Sequence, residues 1–270
     1  MDGTLTTFDV PGSKDSTLPV SIAWTGQITG SYNDQSNTFH GFIRDVGGAI
    51  TSFDGPAPDT FSTTPMSINR RGQIAGFYNR PDSIHGFLRD LDGTMTTFEV
   101  VAPGSTATFV QSMNESGQIT GYYYDAKFTY RAFLRDANGT IIMFDAPGAG
   151  TRGPLGTIPC SINRSGQIAG VFIDAQTHTH GFLRNADGTF ITLDALHDNG
   201  AKSGISINQH GEVTGPHRSR GFVRKPDGTT TTFGVPLGEE VTPMSINGRG
   251  HITGFYLVPN DGPAHGFLRD

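Results

Sequence analysis

The sequence predicts an all-β fold: a six-bladed β-propeller of four-stranded antiparallel blades, forming one domain over residues 1–270. Three observations predict it. A segment of about 45 residues is present in six copies, each copy reads as four short strands separated by turn signals, and the two chain ends are complementary parts of the sixth.

The repeat is carried first by Ser67-Ile68-Asn69-Arg70-Arg71-Gly72-Gln73-Ile74-Ala75-Gly76, which reappears with changes from Ser21, Ser112, Ser161, Ser206 and Ser245. These serines lie 46, 45, 49, 45 and 39 residues apart. A second segment, His85-Gly86-Phe87-Leu88-Arg89-Asp90, follows in each copy, opening at His40, Arg131, His180, Arg220 and His265. A third, typified by Asp92-Gly93-Thr94-Met95-Thr96-Thr97-Phe98-Glu99-Val100, completes the unit.

The first strand is the Ser-Ile-Asn segment, ended by a turn carrying Asn69 and Gly72. The second runs from Gln73 to Tyr78, and the third from Gly86 to Arg89. An Asp-Gly or Asn-Gly pair (Asp92-Gly93, Asn138-Gly139, Asp187-Gly188, Asp227-Gly228) then leads to a fourth strand such as Thr229 to Phe233. Such pairs accept the positive φ of tight hairpin turns, so the third and fourth strands form an antiparallel hairpin. β-Branched residues suit the fourth strand, and no segment sustains a helical period.

An open array of repeats needs atypical capping units at its ends. Here the ends complement each other instead. The terminal His265 to Asp270, joined to Met1 through Val10, matches His85 to Val100, and Ser245 then lies 46 residues from Ser21 round the ring. The first strand of the chain is expected to pair with the last, removing exposed strand edges.

Composition agrees. Thirty-seven glycines and 16 prolines without a collagen period suit a turn-rich β-protein, while 19 Phe and 7 Tyr supply a core that disordered chains lack. The net charge of −6 argues against a nucleic-acid partner. The lone Cys160 excludes an internal disulfide and a cysteine-built zinc site. No run reaches the roughly 18 apolar residues of a membrane span, so no membrane partner is expected, and Met1-Asp2-Gly3 does not read as a signal peptide.

The repeat resembles the HAF repeat family, bacterial extracellular repeats with an Ile-Asn-x-x-Gly-Gln core followed by His-Ala-Phe. Ile68 to Gln73 and Ile162 to Gln167 carry the core; the tripeptide is usually His-Gly-Phe, and Arg131-Ala132-Phe133 in the third copy. The resemblance implies a propeller-like, extracellular or periplasmic protein. It brings no catalytic or binding residues.

In such blades the short Asn-x-x-Gly and Asp-Gly turns share one face. The second-to-third loops and the crossovers (Pro11 to Pro19, Gly55 to Pro65, Pro147 to Pro159, Leu196 to Gly204, Pro236 to Pro243) share the other, which is the candidate binding face. What all copies share is expected to build the blade: the basic residue opening the third strand, the Arg closing it (Arg44, Arg89, Arg135, Arg184, Arg224, Arg269), and the Ser and Asn of the first strand.

Departures from the repeat carry the chemistry. Tyr124, Asp125, Tyr130 and Arg131 in the third copy suit sugar stacking with polar bonds at the rim, against a bland reading as blade packing. His178 and His180 in the fourth are placed to chelate with Asp174, although such loops are more often simply solvated, and no metal or cofactor is expected. The fifth copy has its second-to-third loop collapsed to Pro216-His217-Arg218-Ser219-Arg220, opening a notch. His217, Arg218 and Arg220 would line it, with His197, Asp198, Glu239 and Glu240 arriving on neighbouring crossovers as acid–base candidates. Cys160 reads as a reactive thiol or, more commonly, a buried one. Two functions follow: a recognition propeller binding a glycan or other polyhydroxyl ligand on its long-loop face, or a small-molecule hydrolase, lyase or cyclase with one asymmetric pocket at blades three to six.

Overall fold

The computed structural model describes residues 6–193, 204–236, 240–258 and 264–270. Among them every regular element is a β-strand, and no helix is long and apolar enough to cross a membrane. Copy one comprises β1 (Thr17–Ile22), β2 (Ile28–Asn33), β3 (Phe39–Arg44) and β4 (Ile50–Phe53); copy two, β5 (Ser62–Ile68), β6 (Ile74–Asn79), β7 (Ile84–Arg89) and β8 (Met95–Phe98). Copy three comprises β9 (Thr108–Met113), β10 (Ile119–Tyr124), β11 (Tyr130–Arg135) and β12 (Ile141–Phe144). Copy four holds β13 (Gly156–Ile162), β14 (Ile168–Ile173), β15 (Thr179–Arg184) and β16 (Phe190–Leu193). Copy five has β17 (Ser206–Ile207), β18 (Val213–His217), β19 (Arg220–Arg224) and β20 (Thr230–Phe233), and copy six β21 (Glu240–Ile246), β22 (Ile252–Leu257) and β23 (His265–Arg269).

Successive strands within a copy are neighbours in a sheet, and the third and fourth form the hairpin that the Asp-Gly pairs announce: Gly93 N–H donates to Asp90 O at 3.0 Å, with Gly93 at φ +94. Copies one and two share an eight-stranded sheet through one parallel bridge, Phe39 to Ser62; copies three and four share another through Tyr130 and Gly156. The chain divides into two compact units, residues 1–99 with 107–110, and residues 100–106 with 111–270.

The sheets are open. Copy six has three strands, and residues 6–10, expected to add its fourth, carry no strand; residues 1–5 lie outside the described residues. The crossovers are also shorter than the prolines suggested. Pro19, Pro65, Pro159 and Pro243 lie inside first strands, each at a register shift against the second strand. A bulge is where a strand tolerates a residue without an N–H.

The repeated motifs are architectural. The third-strand phenylalanines Phe42, Phe87, Phe133, Phe182 and Phe222 are all fully buried. In the smaller unit Phe87 packs with Ile68, Ile74 and Tyr78; in the larger, Phe222 packs with Val171, Ile207 and Val213. The first-strand serine joins one copy to the next: Ile68 N–H donates to Ser21 Oγ, Ile162 N–H to Ser112 Oγ, Ile207 N–H to Ser161 Oγ and Ile246 N–H to Ser206 Oγ. The asparagine does two jobs. Asn163 Oδ1 accepts from the amides of Ser165 and Gln167, both at 3.0 Å, while its Nδ2 donates to Asn208 O at 3.2 Å in the next copy. Asn114 and Asn208 repeat this arrangement.

The third-strand arginine lies over the fourth-strand ring of the preceding copy, Arg89 over Phe53 at 5.0 Å and Arg184 over Phe144 at 4.8 Å. Such stacking explains its recurrence without a ligand. Gly76 has a steric reason: a Cβ there would stand 2.3 Å from the Thr64 carbonyl oxygen.

Candidate functional site

In copies one to four the basic residue opening the third strand is engaged within its own copy. The loop before it is shaped by one aspartate: Asp34 Oδ1 accepts from the amides of Ser36 and Thr38, Asp125 Oδ1 from Lys127 and Thr129, Asp174 Oδ1 from Gln176 and His178. The second carboxylate oxygen then takes the basic residue. His40 Nε2 lies 3.3 Å from Asp34, Arg131 Nε donates to Asp125 at 3.0 Å, and His180 Nε2 stands 2.8 Å from Asp174. Another carboxylate arrives just beyond the fourth strand: Asp54 at 2.7 Å from His40, Glu99 at 2.6 Å from His85 and Asp145 at 2.6 Å from Arg131. A ring under the basic side chain completes the set, as Tyr78 under His85 and Phe172 under His180, with centroids 5.0 and 4.8 Å apart.

Asp125, Arg131, His178 and His180 therefore belong to loop construction. The hydrogen bond from His180 holds the Asp174 carboxyl below its usual range. His178 Nδ1 is 3.5 Å from the same oxygen, and among the described residues no three His, Cys, Asp or Glu side chains are grouped to hold a metal.

The tyrosines do come together. Tyr122, Tyr124 and Tyr130 form a triangle with centroids 5.2 to 5.9 Å apart, each half-buried. β10 and β11 bring them to one face by strand alternation, with Tyr124 opposite Tyr130 in register. Tyr122 and Tyr130 pack on the copy-four core, and burial pushes the Tyr122 hydroxyl up to about 12. Burial likewise raises Tyr124. Both are neutral phenols at physiological pH, able to donate and accept.

A residue not singled out from sequence stands on the adjoining loop. Phe128, on the loop linking Tyr124 to Tyr130, is 68% exposed and has φ +56. Copies one and four place Asn37 and Thr177 in that conformation. The signal in the sequence was an aromatic among polar loop residues.

Copy five departs differently from expectation. The hairpin closes over only Arg218 and Ser219, with Arg218 at φ +53. His217 is not a loop residue: it ends β18 opposite Arg220, in the register place of Tyr78 opposite His85. It lines a groove of about 450 Å³ with Leu193, Phe222, Arg224 and Thr232. Leu193 stands where copies one and three have Phe53 and Phe144, and the smaller side chain leaves room. Leu193 and Gly234 were both missed from sequence; setting the six copies side by side would have exposed them. Glu240 opens β21 and is exposed, while His197, Asp198 and Glu239 lie outside the described residues.

Cys160 has its thiol packed against the copy-four core, donating to Ile158 O at 3.7 Å, although the residue as a whole is partly exposed. Burial pushes the thiol up to about 11. That is a packing cysteine, not a nucleophile.

No protein-family model matches the chain, and no curated protein sequence does. Among solved structures, a streptogramin B lyase resembles it with TM-score 0.57 and 16% identity over 97% of this chain and 85% of the other. Catalytically inactive virginiamycin B lyase from Staphylococcus aureus with quinupristin gives TM-score 0.57 and 12% identity over 92% and 83%. AofleA from Arthrobotrys oligospora with three arginines replaced by alanine gives 0.52 and 13% over 93% and 83%. At such identities the likeness shows an all-β, propeller-type fold.

Proposed function

On a propeller-type scaffold, we propose that this chain is an extracellular recognition protein binding a glycan or other polyhydroxyl ligand on the long-loop face of copy three. The observation that carries this reading is Phe128. The chain holds an exposed aromatic ring at a left-handed loop position that costs about 1–2 kcal/mol for a side chain, on the loop that links Tyr124 to Tyr130. Sugar rings stack on such surfaces and bond at their edges. The multivalent form of recognition, with one site per copy at the shared basic residue, is disfavoured because His40, His85, Arg131 and His180 already meet carboxylates of their own copies.

A closed ring of six blades is part of the same proposal. Ile22 is 66% exposed, whereas its equivalents Ile68, Ile162, Ile207 and Ile246 are 5–6% exposed. Asn247 is exposed, while Asn69, Asn114, Asn163 and Asn208 are buried. Phe8 lies beneath Arg44 at 5.0 Å, as the fourth-strand Phe53 lies beneath Arg89. All three are what remains when copy six is to precede copy one, with residues 1–10 as its fourth strand.

The test is binding of the purified chain to an oligosaccharide array, with calorimetry on any hit. One equivalent per chain, weakened at least tenfold by Tyr124→Ala or Phe128→Ala, is the expected result. No binding, or binding indifferent to both substitutions, removes the reading. The groove beside His217 favours a second one, a small-molecule lyase, since two of the similar structures are lyases; turnover abolished by His217→Ala would establish it in place of recognition.

A further inference from the structure

Copy five keeps the basic residue of the third strand but lacks both carboxylates that flank it in copies one and three. In copy three Arg131 lies between Asp125 and Asp145, and in copy one His40 lies between Asp34 and Asp54. In copy five the two-residue hairpin leaves no loop aspartate. The residue after fourth-strand Phe233 is Gly234, where Asp54, Glu99 and Asp145 stand in other copies. A Cβ on Gly234 would lie 3.8 Å from Arg220 Cζ and Nη1, so the guanidinium covers bare backbone at the place an acidic side chain would fill. Arg220 is exposed, and its side chain has no hydrogen bond or ion pair among the described residues.

We propose that Arg220 anchors a carboxylate-binding site, in which a small ligand's carboxylate takes the position of the acidic side chains that the other copies supply. The protein itself displays the chemistry that this position accepts. Guanidinium pairs with carboxylate through a planar fork, and the charge-assisted bond is about twice as strong as a neutral one. Strand alternation puts Arg220 on the same face as Phe222 and Arg224, which line the groove with Leu193 and Thr232. The body of the ligand lies along that groove, half apolar and half hydroxyl-lined. The site uses none of the three tyrosines of copy three.

Titration calorimetry with glucuronate, N-acetylglycine and glucose tests it, with melting temperature as the check that each variant folds. Glucuronate is expected to bind with one equivalent per chain and glucose not to displace it. Arg220→Ala weakens binding at least tenfold, and Gly234→Asp does the same by restoring an internal carboxylate to Arg220. Equal binding of N-acetylglycine marks the carboxylate alone as the determinant, and its failure beside glucuronate marks a sugar acid. Absence of saturable binding by either carboxylate, or binding untouched by both substitutions, overturns the inference. If neutral glycans fail on the array while glucuronate binds through Arg220, the tyrosine reading falls and this one remains.

Discussion

Truncating Ile22 and Ile68 to alanine, separately, distinguishes a closed ring from an open one. The two residues hold the same place in their copies, yet Ile68 is 6% exposed and Ile22 is 66% exposed. Ile68→Ala removes a buried side chain and leaves a cavity, a change that costs about 2–5 kcal/mol. Melting falls by roughly 2–4 °C per kcal/mol in a chain approaching this size, so about 4–20 °C is expected. Ile22→Ala in an open arrangement touches mostly water and stays within about 0.5–1 kcal/mol. In a closed ring Ile22 moves to the 5–6% exposure of its equivalents, and its loss costs nearly as much as that of Ile68. Thermal unfolding by circular dichroism reads the difference, and the ring predicts matched losses. A fall of several degrees for Ile68→Ala with no change for Ile22→Ala would refute closure.

Three other outcomes are expected. Asn163→Ala deprives two amides of their acceptor and the Asn208 carbonyl of a donor; at about 1 kcal/mol per bond, with part recovered by water, it destabilises by about 2–3 kcal/mol, read as a lowered denaturant midpoint with an unchanged slope. Burial opposes protonation of His40, but its hydrogen bonds to Asp54 and Asp34 outweigh that and raise its pKa above 6.5. Its stabilising contribution is therefore full below pH 6.5 and is lost as pH rises through the raised folded value; titration of the ring protons by NMR should show a midpoint above that of an unfolded control, and an equal or lower one contradicts it. Cys160, with its thiol at about 11, should resist a thiol reagent at pH 8 in the folded chain and react on denaturation; prompt labelling of the native protein would contradict its burial.

Much of this was legible in the residues because a repeat states its rule six times. The Asp-Gly pairs can close only hairpins, and the alternation around Phe87 and Ile74 leaves those side chains one face to bury. Proline misled at the crossovers, since Pro65 and Pro159 look like loop residues until a bulge gives them a place in the strand. His217 misled for a related reason: proximity in sequence to a collapsed loop suggested a loop side chain, whereas register decides which residue faces which.

The repeat period and the turn residues determined by themselves that the chain is all-β, where its hairpin turns fall, and which positions recur too often to be a unique site. Only the tertiary structure decided what those positions meet. Asp34 lies on a loop, His40 in β3 and Asp54 just beyond β4, and nothing local in the chain brings them within hydrogen-bond distance. Pairing of a third strand with a fourth does that, and it also makes Gly234 an absence with a meaning. A missing carboxylate is a change of one residue in the sequence, but beside Arg220 it leaves a positive charge without, among the described residues, the partner that His40, His85 and Arg131 have in copies one to three.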